Sequence, residues 1–310
     1  MNLQTILSVL YLLLSFVGTS LNLNDSSTNA VLETSIAHPN PHIRGSSYSD
    51  EEPEVGDIKH HMFFYELANS ETEEYRAICG GSIITSTRVL TSSYCFYTNA
   101  KRKKRDFQKI RAVAAVVLTV ITPRNKTTRQ WRRIKHVYLQ MFYRYPAYSL
   151  ALAEINEPWV FNDWVSNIPY ASVDQDFNGI CSGIYVKAFE SWSKNRKLYR
   201  VPLQMVQTYE CEQKLVQNTD LFQCTAFDQR YDIYAFLALG SGLVCYRTGD
   251  PNEKDTGILI GVTVQSNNGL PTFHHKVALF HKWIKDGGCR VHSSIAKIIS
   301  LCLSLYYSLY

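Results

Sequence analysis

The stretch that most constrains the fold of this chain runs from Cys79 to Cys95. It reads Cys-Gly-Gly-Ser-Ile-Ile-Thr-Ser-Thr-Arg-Val-Leu-Thr-Ser-Ser-Tyr-Cys, so two glycines follow the first cysteine and a mostly apolar run leads to the second. This pattern is typical of a tight corner between two strands. A disulfide between the two cysteines would close a short loop and hold that corner in place.

The chain begins with a short apolar run, residues 6–17, which the small residues Gly18, Thr19 and Ser20 follow. The run is shorter than the roughly 20 residues that span a bilayer. It predicts a secretory signal peptide over residues 1–20, although no lysine or arginine precedes it; a retained anchor is the alternative. Secretion would make the eight cysteines candidates for disulfides. It would also make Asn24 and Asn125, each in an Asn-x-Ser/Thr sequon, candidates for glycosylation.

The rest of the chain divides into a polar segment and a strand-rich segment. Residues 21–58 are rich in Ser, Asn, Asp, Glu and Pro, which predicts a flexible pro-region or linker. After residue 61, apolar runs between turn residues predict strands at 62–67, 82–90, 113–121, 150–155, 184–189, 242–246 and 258–264. Helical periodicity is sustained only at residues 276–285, where Val277, Phe280, Trp283 and Ile284 fall on one face. Many strands with one terminal helix predict an all-β sandwich or barrel.

Charge and motifs exclude some classes of function. The formal net charge of +5 is modest and does not indicate nucleic-acid binding. The sequence has no glycine-rich phosphate loop and no Cys-x-x-Cys motif, so we expect no cofactor and no metal. One basic run is formed by Lys101, Arg102, Lys103, Lys104 and Arg105. Three interpretations of it stay open: a solvated loop, a patch for anionic glycans or acidic partners, and a furin-type processing site with cleavage after Arg105.

Several segments resemble, in order, those of chymotrypsin- and trypsin-like serine peptidases. The stretch from Cys79 to Cys95 resembles that family's CGGSLI…WVLTAAHC segment, and residues 148–155 resemble its n-D-I-A-L-L-K-L segment. Residues 239–245 are similar to the end of G-D-S-G-G-P-L-V-C, and residues 280–284 to the C-terminal helix. Residues 42–45, His-Ile-Arg-Gly, are similar to the start of an activated chain, with His42 where the family has Arg or Lys. The resemblance therefore covers residues 43–286 and implies two six-stranded antiparallel β-barrels with a C-terminal helix.

The resemblance also implies a set of disulfides. Three pairs have counterparts in the family: Cys79–Cys95, Cys181–Cys245 and Cys211–Cys224. The family bridge that braces the walls of the specificity pocket has no counterpart in this sequence. Cys289 and Cys302 remain, and whether they pair with each other stays open.

The positions that match the family's catalytic triad carry other residues. The catalytic histidine corresponds to Tyr94, the aspartate to Ser149 and the nucleophile to Leu239, with Ala238 before it. A serine peptidase needs a hydroxyl nucleophile, an imidazole base and a carboxylate that orients the base. The resemblance therefore implies a non-catalytic homologue. The alternative is a relocated site with Ser241 as nucleophile.

An imidazole for such a relocated site has five candidate sources: His60, His61, His136, His274 and His275. The leading hypothesis remains a secreted, inactive homologue. We expect it to bind extracellular proteins, among them proteases or their substrates, and to regulate an extracellular cascade. An anionic-glycan-binding surface protein is a further alternative.

The C-terminal tail, residues 287–310, ends in an apolar run that starts near residue 298. Small residues, a polar spacer and a hydrophobic end are typical of a GPI-anchor signal, with attachment near Asp286, Gly287 or Gly288. The other interpretation is an ordinary tail that packs on the domain. The chain is thus expected outside the cell, and at a membrane only if it is GPI-anchored.

Overall fold

The computed structural model describes residues 55–98, 103–123, 128–140, 142–175, 177, 180–186, 197–214, 219–226, 236–237, 239–265 and 271–288. Several sequence predictions fall outside these residues. They are the signal peptide, most of the polar segment with residues 42–45, the sequons at Asn24 and Asn125, Lys101, Arg102, Ala238, Cys289, Cys302 and the tail after residue 288.

Strands dominate the described part of the chain. The first nine are β1 (His61–Asn69), β2 (Glu74–Ile83), β3 (Arg88–Ser92), β4 (Tyr97–Thr98), β5 (Lys103–Lys104), β6 (Ile110–Ala114), β7 (Val120–Ile121), β8 (Gln130–Leu139) and β9 (Leu150–Ile155). The next eight are β10 (Ile180–Val186), β11 (Leu198–Leu203), β12 (Met205–Val206), β13 (Phe222–Thr225), β14 (Phe236–Leu237), β15 (Gly242–Tyr246), β16 (Ile258–Gln265) and β17 (Thr272–Lys276). The α-helices are α1 (Thr208–Lys214) and α2 (His281–Lys285), and 3-10 helices cover Ser93–Phe96, Phe107–Lys109 and Ala278–Phe280.

The first large sheet closes on itself. Its antiparallel order is β1-β6-β8-β9-β3-β2, and pairing of β1 with β2 completes a ring of six strands, with β7 added outside on β2. Side chains alternate across a strand, so Met62 and Phe64 pack in one apolar cluster while Phe63 and Tyr65 pack in another. Both faces of β1 are therefore buried.

The second large sheet curls into a half-barrel. Its order is β11-β10-β15-β16-β17-β13-β12, and β14 pairs with β10. The strands at the two ends of this order, β11 and β12, are separated in sequence by Gln204 alone. The six-strand barrel, the half-barrel and the short C-terminal helix confirm the trypsin-like fold that the resemblance implied.

A shared apolar cluster joins the two sheets. Leu90 and Leu152 from the first sheet and Leu259 from the second are all fully buried in it. Val277 and Ile284 are buried in the same cluster, and Phe280 and Trp283 pack against it. The predicted apolar face of residues 276–285 is thus correct, although the chain forms a 3-10 helix before α2 rather than one continuous helix.

The three predicted disulfides are present. Cys79 pairs with Cys95, Cys181 with Cys245, and Cys211 with Cys224. Cys181 and Cys245 lie opposite each other in the β10–β15 ladder. Among the residues described, no helix is long and apolar enough to span a membrane.

Candidate active site

The corner that follows β3 holds Tyr94. The chain leaves the strand at Ser92, whose side-chain oxygen accepts a hydrogen bond from the Tyr94 backbone N–H at 3.3 Å and caps the 3-10 helix. The Tyr94 ring lies 5.3 Å from the ring of Tyr145, centroid to centroid. Burial, and secondarily the neighbouring Tyr94, raises the pKa of Tyr145. An aromatic pair thus lies at the position that the resemblance assigns to the catalytic base.

Ser149 lies beside the same corner, directly before β9. Its hydroxyl is fully buried and lies 3.0 Å from the hydroxyl of Ser92. Its carbonyl oxygen accepts a hydrogen bond from the Ser93 backbone N–H at 2.7 Å. Ser92 therefore joins Ser149 to Tyr94 through hydrogen bonds.

The loop before β15 brings Leu239 to the corner from the second sheet. The carbonyl oxygen of Leu239 accepts a hydrogen bond from the Gly80 backbone N–H at 2.7 Å. At Gly240, where φ is +81°, an added β-carbon would overlap Thr91 Oγ1 and lie 3.0 Å from Cys95 Sγ. Because only glycine fits such a close approach at positive φ, this loop is held against the Cys79–Cys95 disulfide.

The three positions predicted from the resemblance therefore lie around the same corner: Tyr94 and Ser149 are joined through Ser92, and Leu239 is bound to Gly80. They present a phenol, an aliphatic hydroxyl and a leucine side chain. Phenols and aliphatic hydroxyls are poor general bases near pH 7, and leucine has no nucleophilic atom. These three side chains therefore differ from the imidazole, carboxylate and hydroxyl nucleophile that a serine peptidase uses at its triad positions.

A separate cluster of polar side chains, Ser241, His61 and Ser82, lies next to Gly80. A β-carbon added to Gly80 would overlap Ser241 Oγ and would lie 2.9 Å from His61 Cε1. Ser241 is fully buried, and burial, with a smaller contribution from His60, lowers the pKa of His61 to about 3. His61 Nε2, Ser241 Oγ and the Oγ of Ser82, which lies opposite His61 in the β1–β2 ladder, make no hydrogen bond to any described residue.

The sequence drew attention to Ser241 and His61 separately, and the structure brings them together. It contained no signal for Ser82, because only the register of β1 and β2 places Ser82 beside His61.

The other candidate histidines have different surroundings. His136 is exposed on β8. The ring of His274 lies between two hydroxyls, with Nε2 2.9 Å from Thr225 Oγ1 and Nδ1 3.1 Å from Thr263 Oγ1. His275 is buried, and His60 is half-buried at the edge of a separate cavity.

The described end of the basic run is built into the domain. Arg105 forms a 2.8 Å ion pair with Glu66, and its backbone N–H donates to the Phe96 carbonyl. Lys104 Nζ lies 4.5 Å from the centre of the Phe107 ring. Segment β5 pairs with β4 beside the corner. Solvation, glycan binding and processing at this run stay predictions, since Lys101 and Arg102 lie outside the described residues.

No group of three or more His, Cys, Asp or Glu side chains that could hold a metal occurs in the described ranges. The family model whose description is trypsin matches residues 57–284 of the chain. No curated protein matches the chain.

Proposed function

Because the chain belongs to the trypsin family, we propose that it is a secreted member that has no peptidase activity and acts by binding extracellular proteins. Partners of this kind include proteases and their substrates, and binding them would regulate an extracellular cascade. Three disulfides support secretion, since disulfides persist in oxidising compartments.

The observation that carries this proposal is the position of Leu239. Its carbonyl oxygen accepts the hydrogen bond from the Gly80 N–H that holds the loop on the corner. The resemblance assigns the nucleophile position to this residue, whose side chain is aliphatic. Loss of all three triad groups leaves at most a residual acceleration of about 10³–10⁴-fold from other parts of such a site.

Exposed aromatic side chains next to the corner support binding as the remaining role. Tyr145, whose ring contacts that of Tyr94 in a tilted arrangement, is 44% exposed, and Phe142 is 66% exposed. Aromatic residues are enriched in the centres of protein interfaces because they bury large areas. The surface around Tyr145 and Phe142 is therefore where we place the partner.

A fluorophosphonate probe tests the loss of activity. The secreted, folded chain is treated beside active trypsin, and we expect labelling of trypsin alone and no cleavage of a broad peptide library. The matched control is the Ser241→Ala variant, whose background should equal that of the wild-type chain. Labelling of the wild-type chain that Ser241→Ala abolishes would refute the proposal.

Such labelling would establish the alternative, an endopeptidase with a relocated nucleophile. The contact of Ser241 and His61 with Gly80 favours it, because a serine hydroxyl and an imidazole meet there. We place it second because both side chains are buried, so a substrate could reach them only if the two sheets separated at Gly80.

A further inference from the structure

A cavity of about 330 Å³ lies apart from the corner that carries Tyr94, Ser149 and Leu239, and none of these three residues lines it. Its walls come from the turn before β1, the segment after β9, and strands β10, β11 and β15. Cavities that bind small molecules range from about 300 to 1,000 Å³. This one is at the lower end, which fits a compact ligand.

The guanidinium of Arg200, an exposed residue, lies in the cavity wall. Arg200 Nε donates to Ser182 Oγ at 3.3 Å, and Nη2 donates to the Tyr246 hydroxyl at 2.7 Å. Its guanidinium carbon also lies 5.6 Å from the centre of the Tyr246 ring. A guanidinium carries five N–H donors, so donors remain after these two bonds to uncharged hydroxyls. These two bonds orient the guanidinium, which reduces the rotamer freedom that is lost when a ligand binds it.

The charge around the cavity is positive. Arg200 and Lys59 line it, and Asp57 is the one acidic residue among its lining residues. His60 also lines the cavity; burial, and secondarily Arg200, lowers its pKa to about 4, so it is uncharged at neutral pH. The formal charges of the lining residues therefore sum to +1, and this favours an anionic ligand.

The floor of the cavity is apolar. It includes Ile184 and Val244, which are almost fully buried, and Gly242. A β-carbon at Gly242 would overlap Leu259 Cδ1 and lie 2.5 Å from Ser82 Oγ, so the backbone of β15 forms the wall here. A charged rim over an apolar floor suits a ligand with an anionic end and an apolar body.

We propose that this cavity binds a compact organic carboxylate, with its carboxylate on Arg200 and its apolar body against Ile184 and Val244. Arginine matches a carboxylate with two parallel N–H donors, which gives both strength and orientation. The inference does not depend on whether the chain has lost peptidase activity.

Calorimetric titration of the full secreted chain with benzoate tests the site. We expect saturable one-to-one binding at about millimolar concentration, as for a fragment of this size, and no binding of uncharged benzamide. Arg200→Met, which removes the charge, should weaken binding at least about tenfold. Thr256→Trp, which places a large side chain at the exposed turn of the lining, should also abolish it.

Arg133→Met is the matched control, because Arg133 is an exposed arginine on β8 that does not line the cavity. Its affinity for benzoate should equal that of the wild-type chain. Absence of saturable binding, equal binding of benzamide, or unchanged affinity in either Arg200→Met or Thr256→Trp would overturn the proposal. Thermal unfolding of each variant, with a midpoint near that of the wild type, shows that a loss of binding is local.

Discussion

At the scale of single residues, Gly80 connects the two halves of the domain. Its N–H donates to Leu239, its carbonyl accepts from Thr91 Oγ1 at 2.7 Å, and its α-carbon faces both Ser241 and His61. No side chain fits there without movement. The glycine that follows Cys79 in the sequence is therefore explained by close packing between the two sheets.

We expect Gly80→Ala to destabilise the domain by about 1–3 kcal/mol, the usual cost of overpacking a buried site. Because the added methyl group would overlap Ser241 Oγ, Ser241→Gly should recover part of that loss. A double-mutant cycle of urea denaturation should give a coupling energy of about 0.5–3 kcal/mol. Strictly additive effects would show that the two residues do not meet.

The sequence located part of this site and missed the rest for a physical reason. Tyr94, Ser149 and Leu239 can be placed because nearby cysteines or a strand motif fix their positions along the chain. The cluster of His61, Ser82 and Ser241 depends on strand register and on contact between sheets. Neither has a local signature, so each residue alone looks like an ordinary polar residue.

At the scale of elements, β17 carries two buried histidines whose charge state couples stability to pH. Burial lowers the pKa of His274 to about 3 and that of His275 to about 4. In the unfolded chain a histidine titrates near 6.5. The unfolded state therefore binds more protons than the folded state between pH 6.5 and these lower values, so the free energy of unfolding falls as the pH falls through this window.

Each such histidine should make the domain about 1.4 kcal/mol less stable at pH 5.5 than at pH 7.5. We expect His274→Gln to reduce this pH dependence by one histidine's share, although it lowers stability at pH 7.5 because the bonds to Thr225 and Thr263 change. Urea denaturation at both pH values measures the difference in the free energy of unfolding, and His136→Gln, at an exposed histidine, is the control. An unchanged difference in His274→Gln would contradict the assignment.

Helix α1 is short and is tied to the second sheet by a disulfide. It has seven residues, and isolated helices shorter than about 12 residues are marginal in water. Cys211 ties it to Cys224 on β13 across 13 positions of sequence.

The double variant Cys211→Ala/Cys224→Ala should therefore lose about 3 kcal/mol of stability. In this variant, amide hydrogen exchange should speed up more in α1 than in β16, relative to the wild-type chain. The exposed change Glu210→Gln on the same helix is the control. Equal exchange in α1 with and without the disulfide would contradict this dependence.

Elements could be predicted from sequence where an apolar run ends at a turn. The runs at 150–155 and 242–246 coincide with β9 and β15. The single strand predicted at 82–90 is instead the end of β2, a turn and the start of β3. The turn was missed because it is short and its residues are uncharged. Strand β8 was missed because its exposed side chains are basic and its other side chains are only half-buried. Helix α1 was missed because seven residues show little helical periodicity.

At the scale of the whole molecule, the C-terminal helix stabilises both sheets at once. Ile284 is buried in the cluster that contains residues of the first and second sheets. Ile284→Ala should therefore cost about 2–5 kcal/mol while unfolding remains a single transition for both sheets. Leu279→Ala, at a side chain that is 43% exposed, should cost less than about 0.5 kcal/mol. Two separated transitions in Ile284→Ala would contradict the shared core.

Closure of the first barrel also determines what a cut after Arg105 would do. Strand β1 lies before that bond and pairs with β6 after it, and β3 before it pairs with β9 after it. The pieces would thus interlock through two separate ladders although no described disulfide joins them. Cleavage would turn one polypeptide into two that elute together from a gel-filtration column and separate only in a denaturing gel.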